Sequence, residues 1–262
     1  MSAAEQDGPE PGAAAAQGGA GSGAGAGAGA AKARSGQDGQ KDQKGHYGWS
    51  PDGITPPSRG PVRAKRTGRF VVSPWWPIAS HGTENVPVSG PVILAGNHAN
   101  FIDGPLIVNN APRPVHFMVK QEMFSGPMGA MLRWFGQIPV DRTGGDRNAV
   151  LSSLAVLAQG GVLGVFPEGT RSVEEFATMN NGVAYFALRS GAPVVPVACL
   201  GTSGPGSRLG GVPRLRTRVD LVYGEPLELG RGAGRKAVAA ASERLRDALV
   251  LHLAAARKLT GR

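Results

Sequence analysis

"PVILAGNHANFIDGPLIVNN", residues 91–110, sets an apolar run, a polar turn and a second apolar run in a row. "PVILAG" (91–96) is short, continuous and bounded by turn residues, as a buried strand is. "PLIVNN" (105–110) starts a helix, with Pro105 at a tolerated early position and Asn97 or Asn100 available as a cap. The same alternation continues downstream. "PVHFMVK" (114–120), "GQIPVDR" (136–142), "VLGVF" (162–166), "PVVPVACL" (193–200) and "TRVDLVY" (217–223) read as strands, and Pro139 suggests an edge or a strand end. "MFSGPMGAMLRWF" (123–135) reads as a helix. So does 146–161, where Val150, Leu151, Leu154, Leu157 and Ala158 share one face, and so does 181–191, which ends at Gly191. A long alanine-rich helix over 235–259 carries Val238, Leu245, Leu249 and Leu253 in register. Strands separated by helices predict a single α/β domain, a largely parallel sheet flanked by helices.

The start of the chain is different. Residues 1–45 hold 12 of the 41 glycines and no aromatic residue. Such a segment buries too little apolar surface to offset its ordering entropy, so it reads as a disordered tail. Residues 46–69 read as a basic linker and 70–262 as the globular domain. The tail holds four basic and five acidic residues, so the remaining 24 basic and 14 acidic residues carry a net +10. That balance prefers anionic partners. The single cysteine, Cys199, excludes an intrachain disulfide and a thiolate metal cluster. No run approaches the length and apolarity of a membrane-spanning helix, which predicts at most a surface association with lipid. Nucleic-acid binding has only net charge behind it, without a zinc pattern or helix-turn-helix punctuation. No P-loop motif occurs.

His98 precedes Asp103 by five residues. Mid-helix, that spacing would set the two side chains about 140° apart. They can meet if His98 lies in the turn before the helix and Asp103 in its first turns. Asp103 would then accept from one imidazole nitrogen and leave the other free to take a proton. A second stretch, "FPEGTRS" (166–172), follows a strand and offers a glycine, a hydroxyl and a forked cation. Arg142 ends a third stretch. All three lie at the carboxyl ends of predicted strands, where α/β sheets bind ligands.

These stretches resemble the sequence blocks of the glycerolipid acyltransferases, the group that contains 1-acylglycerol-3-phosphate acyltransferase. "NHANFIDGP" (97–105) resembles their first block, "GQIPVDR" the second, "FPEGTRS" the third and "VVPVA" (194–198) the fourth, in the same order and over roughly residues 68–227. Two positions depart from the pattern: Asn100 stands where serine is common, and Asn180 where many relatives place lysine.

The resemblance implies transfer of a fatty acyl group from acyl-coenzyme A or acyl carrier protein to the free hydroxyl of lysophosphatidic acid, making phosphatidic acid. It implies His98 as general base, oriented by Asp103. Asn97 either holds the turn or donates to the developing oxyanion. Arg142, Glu168, Gly169, Thr170 and Arg171 match the residues that hold the acceptor's phosphate and glycerol. The chemistry requires no metal and no resident cofactor, and the sequence has no G-x-S-x-G elbow for an acyl-enzyme. Glycerol 3-phosphate or another lysophospholipid is the alternative acceptor, and a non-catalytic basic membrane-binding module is the alternative of another class. Residues 59–78 set Arg59, Arg63, Lys65, Arg66 and Arg69 before Phe70, Trp75 and Trp76. That order suits an anionic membrane surface, and a peripheral enzyme on the cytoplasmic face of the membrane is expected. The tryptophans read equally well as core residues.

Overall fold

The computed structural model of the chain describes residues 53–72, 74–168, 176, 179–203 and 213–262. The predicted tail, 1–45, lies outside them. The described part of the segment read as a linker contains a helix, α1 (Gly60–Val71), opened by a proline in its first turn. After β1 (Ile78–His81), the chain follows the predicted order: β2 (Val92–Gly96), α2 (Asp103–Asn110), β3 (Val115–Lys120), α3 (Gly126–Trp134), β4 (Ile138–Val140), α4 (Arg147–Ala158), β5 (Val162–Val165), α5 (Gly182–Ser190), β6 (Val194–Leu200), β7 (Val219–Tyr223) and α6 (Arg235–Thr260). The helix expected over 123–135 is divided at Ser125, an extended residue, into a 3₁₀ turn and α3.

The seven strands form one sheet in the order β1-β7-β6-β2-β5-β3-β4. The β6–β7 pairing is antiparallel and the other pairings are parallel, so the sheet is largely parallel, as expected. Pro139 sits in β4, an edge strand, where a missing N–H costs no ladder bond. α2 crosses one face as the chain passes from β2 to β3, while α4 and α5 return across the other. This arrangement makes two cores. Leu106 and Ile107 of α2 pack with Val92, Leu94, Val115, Leu221 and Trp76 on one face. Leu157, Phe186, Leu245, Leu249 and Leu253 pack with Ile93, Leu163 and Val194 on the other. β2, β6 and β7 are buried along their whole length, because both sheet faces are covered.

Two helices differ from the sequence reading. α4 turns Ala149, Ser152, Ser153, Val156 and Leu157 into the core, and Val150, Leu151 and Leu154 are only partly buried. Its small and hydroxyl residues can face inward because Ser152 donates to the Ile54 carbonyl and Ser153 to the Ala149 carbonyl. α1 docks through Gly60, Pro61 and Ala64 rather than through leucines. A Cβ at Gly60 would lie 2.7 Å from the Gly136 backbone nitrogen, so glycine permits that approach.

Candidate active site

β2 ends at Gly96 and its backbone turns away, but its ladder with β6 continues by other means. The Asn97 side-chain amide takes the place of a peptide: Nδ2 donates to the Cys199 carbonyl at 3.2 Å, and Oδ1 accepts from the Cys199 N–H at 2.8 Å. These are the contacts of a residue that holds the turn. Asn100 fastens the same loop to the chain beyond β6, its Nδ2 donating to the Thr202 carbonyl at 3.1 Å. Its Oδ1 accepts from the Ile102 N–H at 3.3 Å, and Ile102, not an asparagine, is the N-cap residue of α2. Serine, shorter by one atom, would not make the same reach.

Asp103 opens α2, and His98 lies in the loop before it, the placement that a five-residue spacing needs. His98 Nδ1 is 3.4 Å from Asp103 Oδ2, close enough for an ion pair but not aligned as a hydrogen bond. Such contacts in unliganded sites often tighten when substrate binds. Asp103 has no exposed surface, while the His98 side chain is partly accessible. The Asn100 N–H donates to Asp103 Oδ2 at 2.6 Å, and the amino end of α2 favours the negative charge. Nε2 is therefore the imidazole nitrogen turned away from the carboxylate.

Phe166 completes the setting. Its ring stacks on the imidazole with centroids 4.1 Å apart and planes within 10°. The ring is backed by Phe117, and a Cβ at Gly96 would meet it at 3.3 Å. Glycine at 96 thus leaves room for the stack. In the sequence Phe166 is only the first residue of "FPEGTRS", and nothing local points to this contact. Its one signal is its position as the first residue after a buried strand.

The other expected residues are spread along the same end of the sheet. Glu168 follows β5 and is buried. Arg142 follows β4 and is exposed, three strand spacings from β2, about 14 Å at the usual interstrand distance. Its loop is organised by Asp141, which accepts from both the hydroxyl and the N–H of Thr143, and these bonds hold the Asp141 carboxyl below its ordinary value. Gly169, Thr170 and Arg171 lie outside the described residues. Among the described residues, no group of three or more His, Cys, Asp and Glu is arranged to hold a metal ion.

The tryptophans of the 59–78 segment divide. Trp76 is buried and donates to the Arg214 carbonyl, while Trp75 is 51% exposed; Phe70, at 79%, and Val71 are exposed as well. β1 starts at the end of the sheet where β6 finishes, so Trp75 lies at the same end as His98. Among the described residues no helix is long and apolar enough to cross a membrane.

Known proteins share both the sequence and this architecture. A family model described as Acyltransferase matches residues 77–200. The 1-acyl-sn-glycerol-3-phosphate acyltransferase of Bacillus subtilis is 30% identical over 149 residues, 56% of this chain and 72% of that protein. The chain belongs to the acyltransferase family. The resemblance read from the four blocks is therefore borne out, and the protein is an acyltransferase. An enzyme of the same name from Chlamydomonas reinhardtii is 32% identical over 137 residues, 50% of this chain but 40% of the algal one. The crystal structure of the 1-acyl-sn-glycerophosphate acyltransferase of Thermotoga maritima superimposes with a TM-score of 0.58 at 23% identity, over 77% of this acyltransferase and 80% of the other, and shares its fold.

Proposed function

We propose that this acyltransferase moves a fatty acyl group from the thioester of acyl-coenzyme A or acyl carrier protein to the free hydroxyl of 1-acyl-sn-glycerol 3-phosphate, giving phosphatidic acid for phospholipid synthesis. The observation that carries the reading is the His98–Asp103 pair at the carboxyl end of β2, in a chain related to enzymes named for that reaction. An alcohol hardly ionises at neutral pH, so a base must take its proton during attack. His98 Nε2 takes it as the oxygen bonds to the thioester carbonyl carbon, and negative charge moves to the carbonyl oxygen. Asp103 balances the imidazolium. When the tetrahedral adduct collapses, the C–S bond breaks and the imidazolium returns the proton to the departing thiolate. Arg142 and Arg171 hold the acceptor phosphate as forked cations, with Glu168, Gly169 and Thr170 around the glycerol. Asn97 acts in the site by fixing its turn.

The acceptor sits in a bilayer. Residues 59–78 meet that surface, with arginines on the lipid phosphates and Phe70 and Trp75 in the interface. The enzyme then works as a peripheral protein on the cytoplasmic face.

Thiol release from a long-chain acyl-coenzyme A, with and without lysophosphatidic acid, tests the reading. Acceptor-dependent release is expected from the wild type and a loss of at least about a hundredfold in His98→Ala, as for a general base. Release by wild type only with glycerol 3-phosphate would move the assignment to that acceptor. No acceptor-dependent release with any donor or acceptor would end the enzymatic reading of the site.

A further inference from the structure

A carboxylate without solvent contact stays ionised only where donors face it. Asp103 Oδ2 has the Asn100 N–H and His98. Oδ1 faces the Cys199 thiol, with Sγ 3.4 Å away. The thiol comes from the next strand to β2, and its backbone is fixed on both sides by the Asn97 amide. Burial first, then the Asp103 charge, push the Cys199 thiol well above its ordinary range, so it keeps its proton at any working pH. Cys199 therefore faces the carboxylate as a standing donor.

We propose that Cys199 is a positioning residue of the acyl-transfer site, an S–H donor that holds the Asp103 carboxylate aimed at His98. The proposal rests on the reading of His98 as base. The Asp103 carboxylate touches both the thiol and the His98 ring, so a change at the thiol is felt at the ring. Removing the thiol raises the proton affinity of the ring, so the inactive, protonated form persists to higher pH. A cysteine that merely fills space would scale activity equally at every pH.

The test is the pH profile of kcat/KM for wild type, Cys199→Val and Cys199→Ser, with thermal melts to confirm folding. Valine lacks a donor and adds about one methyl group, so the melts check its packing; serine keeps a donor. The acid limb is expected to move up by about half a pH unit in Cys199→Val, a loss of about threefold below the limb and little above it. Cys199→Ser should return the limb to the wild-type position or below it. A Cys199→Val profile that superimposes on the wild type after scaling overturns the proposal, as does a Cys199→Ser limb that coincides with that of Cys199→Val. The titration midpoint of the His98 ring, followed by NMR without substrate, should move in the same way. If His98→Ala keeps its acceptor-dependent release, the base reading fails by itself, and the NMR midpoints still decide the role of Cys199.

Discussion

The His98 ring is fixed on one face by Phe166 and on one edge by Asp103. A ring that must present Nε2 to a hydroxyl loses rate when it can rotate, even if it still binds substrate. Phe166→Leu keeps apolar volume against Phe117 but removes the flat face. The expected result is a fall in kcat of about fivefold, the worth of one aromatic contact, with KM little changed. Steady-state kinetics that showed the reverse split would assign Phe166 to substrate binding instead. His98 and Asp103 were legible because their spacing is local and its geometry can be worked out on paper. Phe166 and Cys199 were not, since each meets the pair only after the sheet has formed. Asn97 was half legible: the residue type was right for a turn, but its partner lies 102 residues away.

Helices and strands were readable where apolar residues repeat. α6 buries Leu245, Leu249 and Leu253 as its pattern predicted. α1 was missed because it packs with glycine, proline and alanine, which carry no hydrophobic period. β1 was missed because "IASH" is short and partly polar. β1 owes its place to charge as well as to pairing. Its His81 meets the buried Asp220 of β7 at 3.2 Å, and Arg218 and Arg262 reach the same carboxylate at 2.8 and 3.3 Å. Burial pushes the Asp220 carboxyl up, but the bonds from His81, Arg218 and Arg262 prevail and hold it below its ordinary value. A carboxyl depressed in the folded state stabilises fully above its unfolded value, about pH 4, and stops doing so as pH falls through the folded one. Asp220→Asn should therefore cost about 1 kcal/mol in urea unfolding at pH 7, since its cationic partners stay in reach of water. The two proteins should converge in stability as the pH is lowered below about 4. A constant difference down to the acid transition would mean that the carboxylate's charge is not what holds β1.

At the scale of the whole molecule, exposed apolar side chains gather where the chain enters β1 and β7. Trp75 and Leu215 are exposed there, Leu215 between Arg214 and Arg216, and Phe70 and Val71 are exposed at the end of α1. Composition made a basic domain legible; only the fold places Trp75 and Leu215 at the end that carries His98. Phe70→Ser with Trp75→Ser should weaken binding to anionic vesicles at least about tenfold, as expected from withdrawing two aromatic side chains from an apolar phase. Raising salt should weaken the wild type further by screening the cations. Equal sedimentation of wild type and double variant with vesicles would exclude this face as the lipid contact.

The side-chain splice between Asn97 and β6 has a kinetic meaning too. The contacts that fix the His98 loop span 96 to 102 residues of chain, far more than any helix contact or pairing of consecutive strands closes. Such closures come late in folding, after local helices and neighbouring strands have formed. A refolding chain would regain its helical signal, and even most of its compactness, while still inert. The return of acyl transfer would mark the moment when β6 locks beside β2.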